Sequence, residues 1–267
     1  MGGSETEVLT PTSAAEAVRA FGDGRDVTVL AGGTILMPMR IHGGYPRGGR
    51  TLMLTRAGLE EITEDGTVTI GAMATLAALA ASGIEPLAAA ARDVADHEIR
   101  AQATLGGNLC APPAKDSPRG DLQAALLAAG ARVRCAAGAN ERTMPVEDFL
   151  DRAGHEPLLV LSVELERPAR AAYLSQRRPH AHSYAVMAVA CADTSDGIRV
   201  AAAGVGPRAV RLKAVERALA DGTAPEHAAA QALDGVQPHD DALASAWYRQ
   251  QVLPVLVRRA LEQLQGG

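Results

Sequence analysis

Apolar positions in the first fifty-five residues switch between two periods. AAEAVRAF repeats at helical spacing, with Thr12 or Ser13 placed to cap it and Gly22 to Gly24 placed to end it. VTVLAGG is a short apolar run entering a glycine turn, which predicts a buried strand. Pro38 and HGGYPRGG break the chain before a second strand, TLMLT, so this region predicts a β/α unit with parallel strands. EITED and GTVTIGA then alternate on either side of Asp65-Gly66, a hairpin signal. TLAALAASGIEPLAAAARDVADHEI is helical, with interruptions near Gly83 and Pro86.

TLGGNLCAPPAKDSPRGD predicts a long loop. LQAALLAAG predicts an apolar helix, ARVRCAA a strand, PVEDFL a helical turn and LLVLSVELE a further strand. This order does not suit a doubly wound sheet. Beyond Pro168, YAVMAVACAD and IRVAAAGVG predict two strands joined around Asp196-Gly197. Amphipathic helices follow in RLKAVERALADG and ALASAWYRQQVLPVLVRRALEQL. Residues 1–167 and 168–267 are thus expected to be separate domains, the first divided near residue 55.

Composition narrows the function classes. The 267 residues are 47% hydrophobic, enough for an ordinary core rather than disorder. The net charge of −5 is spread along the chain, with no basic stripe for nucleic acid. The basic residues are nearly all Arg, Lys occurring only at Lys115 and Lys213. The start lacks the pattern of a signal peptide, and no apolar stretch approaches the roughly 20 residues that span a bilayer. Cys110, Cys135 and Cys191 suit neither a disulfide framework, an iron–sulfur cluster nor a zinc site. The expectation is a soluble cytoplasmic protein.

Two glycine pairs carry the chemistry, AGGTI at 31–35 and TLGGN at 104–108. Glycines leaving a strand expose consecutive backbone N–H groups with no Cβ in the way, and such concavities bind phosphate without basic side chains. Thr34 adds a hydroxyl donor to the first pair, and Thr104, Gly106, Gly107 and Asn108 repeat the pattern in the second. One such loop is a tight turn; two point to a ligand with two phosphates. GVGPRA, at 204–209, has dinucleotide-fingerprint spacing after a strand and before a helix. No second parallel strand follows to supply a ribose-binding acid, so it is read as a plain turn.

With those motifs in order, the sequence resembles the FAD-binding medium subunit of molybdenum hydroxylases, the group containing carbon monoxide dehydrogenase and xanthine dehydrogenase. AGGTILMPM, TIGAMATLAAL, ADHEIRAQATLGGNLC, GDLQAALLAAGARV, TMPVEDFL, LSVELERP and ASAWYRQQVLPVLVRRAL carry the resemblance across nearly the whole chain. It implies an α+β fold: a two-part α/β FAD-binding domain of the PCMH type, then a smaller C-terminal domain of antiparallel strands and helices. It implies FAD as cofactor, held by Val29, Leu30, Ala31, Gly32, Gly33, Thr34, Ile35 and Leu36 in the first loop. Thr104, Leu105, Gly106, Gly107 and Asn108 form the second loop, with Asp121 as a carboxylate contact and Tyr184 as an aromatic neighbour. Asp121 also suits an N-cap for a helix beginning at Leu122.

The implied partners are a molybdenum-cofactor subunit and a [2Fe-2S] subunit, with NAD, a quinone or oxygen as external acceptor. Alternatives are a free-standing FAD-dependent oxidoreductase on a small metabolite and a flavin-free interaction subunit. The sequence departs from many relatives at Ile35, where they carry Asp, and in a longer loop around Lys115 to Arg119, where Asp116 competes with Asp121. His180 and His182 lack a third metal ligand. Cys110, beside the second loop, is expected to be a buried thiol.

Overall fold

The computed structural model describes residues 7–41, 49–112, 120–178 and 184–266. Its fold is α+β, and the backbone forms two compact units. The first comprises residues 1–78, 97–110 and 132–164, the second residues 79–96, 111–131 and 165–267. Lys115, Asp116, Arg119, His180 and His182 lie outside the described residues.

The first unit holds two sheets. β1 (Glu7–Leu9), β2 (Val27–Leu30) and β3 (Arg50–Met53) form a parallel sheet in the order β1-β3-β2. β3 is central; β2 is an edge strand, so all four of its residues are only half-buried and not fully buried as their apolarity predicts. α1 (Ala14–Phe21) connects β1 to β2. Its start is fixed twice: Ser13 accepts from the Glu16 N–H, and the Glu16 carboxylate accepts from the Thr12 N–H and hydroxyl. α2 (Leu36–Ile41) follows the first glycine pair.

The second sheet has the order β4-β5-β8-β6-β7. β4 (Ile62–Asp65) and β5 (Thr67–Gly71) form the predicted hairpin around Gly66. β6 (Arg132–Ala137) pairs antiparallel with β8 (Leu159–Leu165) and with β7 (Asn140–Pro145), and α8 (Val146–Arg152) lies between β7 and β8 in sequence. β7 escapes the sequence reading because NERTMP has little apolar alternation. Phe21, Leu52 and Leu54 share a core with Ala136, Leu159 and Leu161, joining the two sheets.

The predicted long helix is three short ones: α3 (Leu76–Ala81), α4 (Leu87–Asp93) and α5 (His97–Gln102). TLGGN is not an open loop. α6 (Leu105–Leu109) contains its glycines, and Thr104 is the N-cap.

The second unit is built on an antiparallel sheet, β12-β11-β10-β9. Its strands are β9 (Arg170–Gln176), β10 (Met187–Thr194), β11 (Gly197–Ala203) and β12 (Val210–Arg211). Only β10 and β11 are evident from the sequence. β12 also corrects the reading of GVGPRA, which leads into an antiparallel strand and not directly into a helix. Met187, Val189 and Cys191 face a core containing residues of α9 (Lys213–Ala220), α10 (Pro225–Ala229) and α11 (Ala246–Gly266). α7 (Gln123–Ala128) also contacts β10 and β11. Helices on both faces explain the near-continuous apolar run of β10.

α11 begins at Ala246, four residues later than its apolar pattern predicts. Arg249 on it is fully buried, so the arginines of this helix do not all sit on a solvated face. Arg258 and Arg259 are exposed.

Candidate functional site

In the first unit the two glycine segments meet. A Cβ built on Gly32 stands 1.9 Å from the Gln102 carbonyl oxygen and 3.2 Å from the Ala103 Cα, so only glycine permits this backbone approach. A Cβ on Gly107 comes within 4.0 Å of the Ala31 side chain. Gly33 adopts φ +73°, the left-handed region that L side chains rarely enter, and this turns the chain from β2 into α2.

The two segments differ in what their backbones offer. Carbonyls of Gly33 and Ile35 accept from Met37 and Met39 inside α2. The N–H groups of Gly32, Gly33, Thr34, Ile35 and Leu36 have no acceptor among the described residues, and all five residues are half-buried. Five successive donors at a helix entry favour a pyrophosphate, because the amide dipoles supply positive potential without an ammonium or guanidinium.

The second segment spends its donors internally. Leu105 and Gly106 donate to the Ala74 and Ala72 carbonyls at 2.9 and 2.8 Å. The Gly107 N–H donates to the Thr104 hydroxyl at 3.2 Å, and Asn108 to the Thr104 carbonyl at 2.9 Å. The expectation that TLGGN repeats the donor chemistry of AGGTI is therefore corrected. Gly106 is small because a Cβ there comes within 3.0 Å of the Ala72 oxygen. Thr104, Leu105 and Asn108 are buried, and Thr104 bridges to Thr75, fixing the segment behind the first one.

Asp121 and Tyr184 belong to the second unit. α7 begins at Gln123 with Leu122 at its cap position, one residue later than the start at Leu122 that the N-cap reading of Asp121 expected. Tyr184 lies three residues before β10 and is 39% exposed. Val29 and Leu30 end β2 as half-buried residues. Cys110 is exposed rather than buried, because it terminates α6 at the surface.

One polar group is missed from the sequence. Tyr173 on β9 donates to Asp93 at the end of α4, and Asp93 also faces Arg177 at 2.9 Å. Its members lie up to 84 residues apart in an unremarkable pattern, and only the folding of β9 beside α4 unites them. Among the described residues, no cluster of three or more His, Cys, Asp or Glu side chains is arranged to hold a metal.

The donor row and the backbone cradle suit a ligand with a pyrophosphate, and the family matches specify FAD. Residues 4–165 match the family of FAD binding domains in molybdopterin dehydrogenase, and residues 170–264 match the CO dehydrogenase flavoprotein C-terminal domain. The chain belongs to this family: it is an FAD-binding subunit of the molybdenum hydroxylase type, a flavin-dependent oxidoreductase component. It is 30% identical to the carbon monoxide dehydrogenase medium chain of Hydrogenophaga pseudoflava, over 96% of this chain and 95% of that one. It is also 30% identical to subunit alpha of the 6-hydroxypseudooxynicotine dehydrogenase complex of Paenarthrobacter nicotinovorans, over 96% and 93% of the two chains. The structure of carbon monoxide dehydrogenase from Hydrogenophaga pseudoflava superposes with a TM-score of 0.83 at 26% identity, covering 100% of this chain and 99% of that one.

Proposed function

We propose that this chain is the electron-transfer subunit of a heteromeric molybdenum hydroxylase. It receives electrons from a [2Fe-2S] partner, which is itself reduced by a molybdenum-cofactor subunit, and passes them to an external acceptor such as NAD, a quinone or oxygen. The observation that carries this reading is the row of five half-buried N–H donors from Gly32 to Leu36, closed from behind by the Gln102–Ala103 backbone. Relatives described as a medium chain and as a complex subunit support the assembly.

Bound FAD supplies the redox chemistry, since a flavin accepts single electrons and releases two together as one hydride. The protein's part is binding and orientation. Within the loop Val29 to Leu36, the residues Gly32 to Leu36 would present the pyrophosphate donors, with Thr34 adding a hydroxyl. Thr104 to Asn108 form the rigid wall that holds the first segment in place. Asp121 would accept from hydroxyl or amine donors of the nucleotide, and Tyr184 would offer the flavin an aromatic neighbour. No proton-transferring side chain is required by this role. The FAD-binding domain is residues 1–167, with subdomains about 1–55 and 56–167, and residues 168–267 form the C-terminal flavoprotein domain.

Among the described residues, no helix is long and apolar enough to cross a membrane; we assign the subunit to the cytoplasm. The deciding experiment is gentle purification of the tagged chain from its own cells, followed by its visible spectrum, cofactor mass and metal content. Released FAD with copurifying iron and molybdenum is expected. FAD without those partners, together with turnover of a small substrate by the chain alone, would instead mark a free-standing flavin oxidoreductase.

A further inference from the structure

In the second unit the backbone just after Tyr184 is held from two sides. Val186 donates its N–H to the carbonyl of Gln176, the end of β9, at 2.7 Å. On the other side runs Gly204. A Cβ built there stands 2.3 Å from the Val186 carbonyl oxygen and 3.1 Å from the Met187 Cα, so only glycine, here at φ +75°, lets the two backbones lie this close. The first glycine of GVGPRA therefore has a packing role beside β10.

β9 is itself tied down where it ends. Arg177 directly follows Gln176, and its Nε lies 2.9 Å from the Asp93 Oδ1 without the alignment of a hydrogen bond, so the pairing is ionic. The Asp93 Oδ2 accepts from the Tyr173 hydroxyl at 3.5 Å. One carboxylate at the end of α4 thus holds β9 at two points. Strand ends open locally unless such contacts oppose it.

We propose that Asp93, Arg177 and Gly204 are positioning residues for Tyr184. The ion pair keeps the end of β9 closed, Gly204 admits the Val186 backbone, and together they hold the phenol ring against the flavin. This inference rests on the assignment of Tyr184 as the flavin's aromatic neighbour. None of the three has to touch the cofactor. With the ion pair cut, the Gln176–Val186 bond opens more often, and Tyr184 spends part of its time away from the flavin.

The test is the fluorescence decay of the full chain saturated with FAD, with FAD titration and thermal melting measured alongside. A phenol touching an excited flavin gives it an electron and takes it back, so the contact shows as a short-lived component of the decay. Tyr184→Phe keeps an aromatic ring and removes the electron donor. FAD affinity is expected to stay within about twofold of wild type while the short component disappears. Arg177→Met and Asp93→Asn are expected to lower the ratio of short to long component about two- to fivefold, the scale of a partly exposed ion pair. Arg177→Lys keeps a charge opposite Asp93 and is expected to keep most of the ratio. In the Tyr184→Phe background the ion-pair variants change the decay no further.

The outcomes separate two levels. A short component that survives Tyr184→Phe unchanged defeats the Tyr184 assignment itself. Its loss in Tyr184→Phe beside a wild-type ratio in Arg177→Met and Asp93→Asn overturns this proposal alone, because the pair then merely fastens α4 to β9. Gly204→Ala is expected to lower the ratio as the ion-pair variants do, and a folded Gly204→Ala with the wild-type ratio overturns the part given to Gly204. If that variant does not fold, Arg177→Met decides by the same ratio.

Discussion

The Cβ that Gly32 lacks would stand 1.9 Å from the carbonyl oxygen of Gln102, seventy positions along the chain. One backbone-to-backbone contact thus joins the first glycine segment to the chain two residues before the second. Gly32→Ala forces these two backbones apart. Stability is expected to fall by about 1–3 kcal/mol, the usual cost of overpacking, and FAD affinity to fall with it. Melting temperature and FAD titration check both effects. Retention of wild-type affinity would remove the row from Gly32 to Leu36 from the site.

Thr104 and Gly107 pose a different test, because the Thr104 hydroxyl caps α6 through the Gly107 N–H. Thr104→Ala is expected to cost about 1 kcal/mol, whereas Thr104→Ser keeps the acceptor and most of the stability. Gly107→Val is expected to weaken FAD binding at least tenfold by filling the surface that faces Ala31, with a smaller change in denaturant midpoint. A midpoint that collapses while FAD affinity per folded molecule holds would assign Gly107 to folding alone.

Arg249 and Asp241 form the deepest ion pair of the second unit, their side chains 0% and 2% exposed. One guanidinium nitrogen lies 2.8 Å from both carboxylate oxygens, and the other donates to the His239 carbonyl at 2.9 Å. Arg249→Met leaves a buried carboxylate and is expected to cost about 3–5 kcal/mol. Adding Asp241→Asn should restore part of that loss in urea unfolding.

The same pair predicts acid sensitivity. Burial raises the Asp241 pKa, but Arg249 and the Ala244 and Leu243 N–H groups outweigh it, leaving the value below the ordinary 3.8. A depressed pKa contributes stability that is complete above the unfolded value and is lost as pH falls from about 3.8 through the folded value. Unfolding free energy measured across that window should fall less steeply in Asp241→Asn than in wild type.

Thiol labelling checks the cysteines. Burial pushes Cys191 up to about 12, and it raises Cys135 too, with Arg142 offsetting part of that rise. Only Cys110 is exposed. At pH 8 the native protein is expected to react with one equivalent of a disulfide reagent quickly, and with three after denaturation. Loss of the fast phase in Cys110→Ser confirms the assignment.

Much of the fold was legible because its signals are local. The Ser13 cap, the Asp65-Gly66 hairpin and the glycine exit of β2 each depend on a few adjacent residues. β7 and β9 were not legible, since NERTMP and RAAYLSQ lack the alternation that marks a half-buried strand. Their pairing partners make them strands. The burial of Arg249 was equally hidden, because an arginine on a helix looks solvated until its buried aspartate is placed beside it.

For the site, the sequence by itself determined which residues were small enough, and which carried oxygen or N–H groups, to serve a nucleotide. It also carried the ordered motifs that mark the family. Only the tertiary structure decided that the two glycine pairs work differently. Gly32 to Leu36 keep their donors because the chain turns into a helix there, while Leu105 to Asn108 give theirs to Ala72, Ala74 and Thr104. A glycine pair specifies where backbone can come close. What it comes close to depends on segments distant in sequence, and those are chosen by packing.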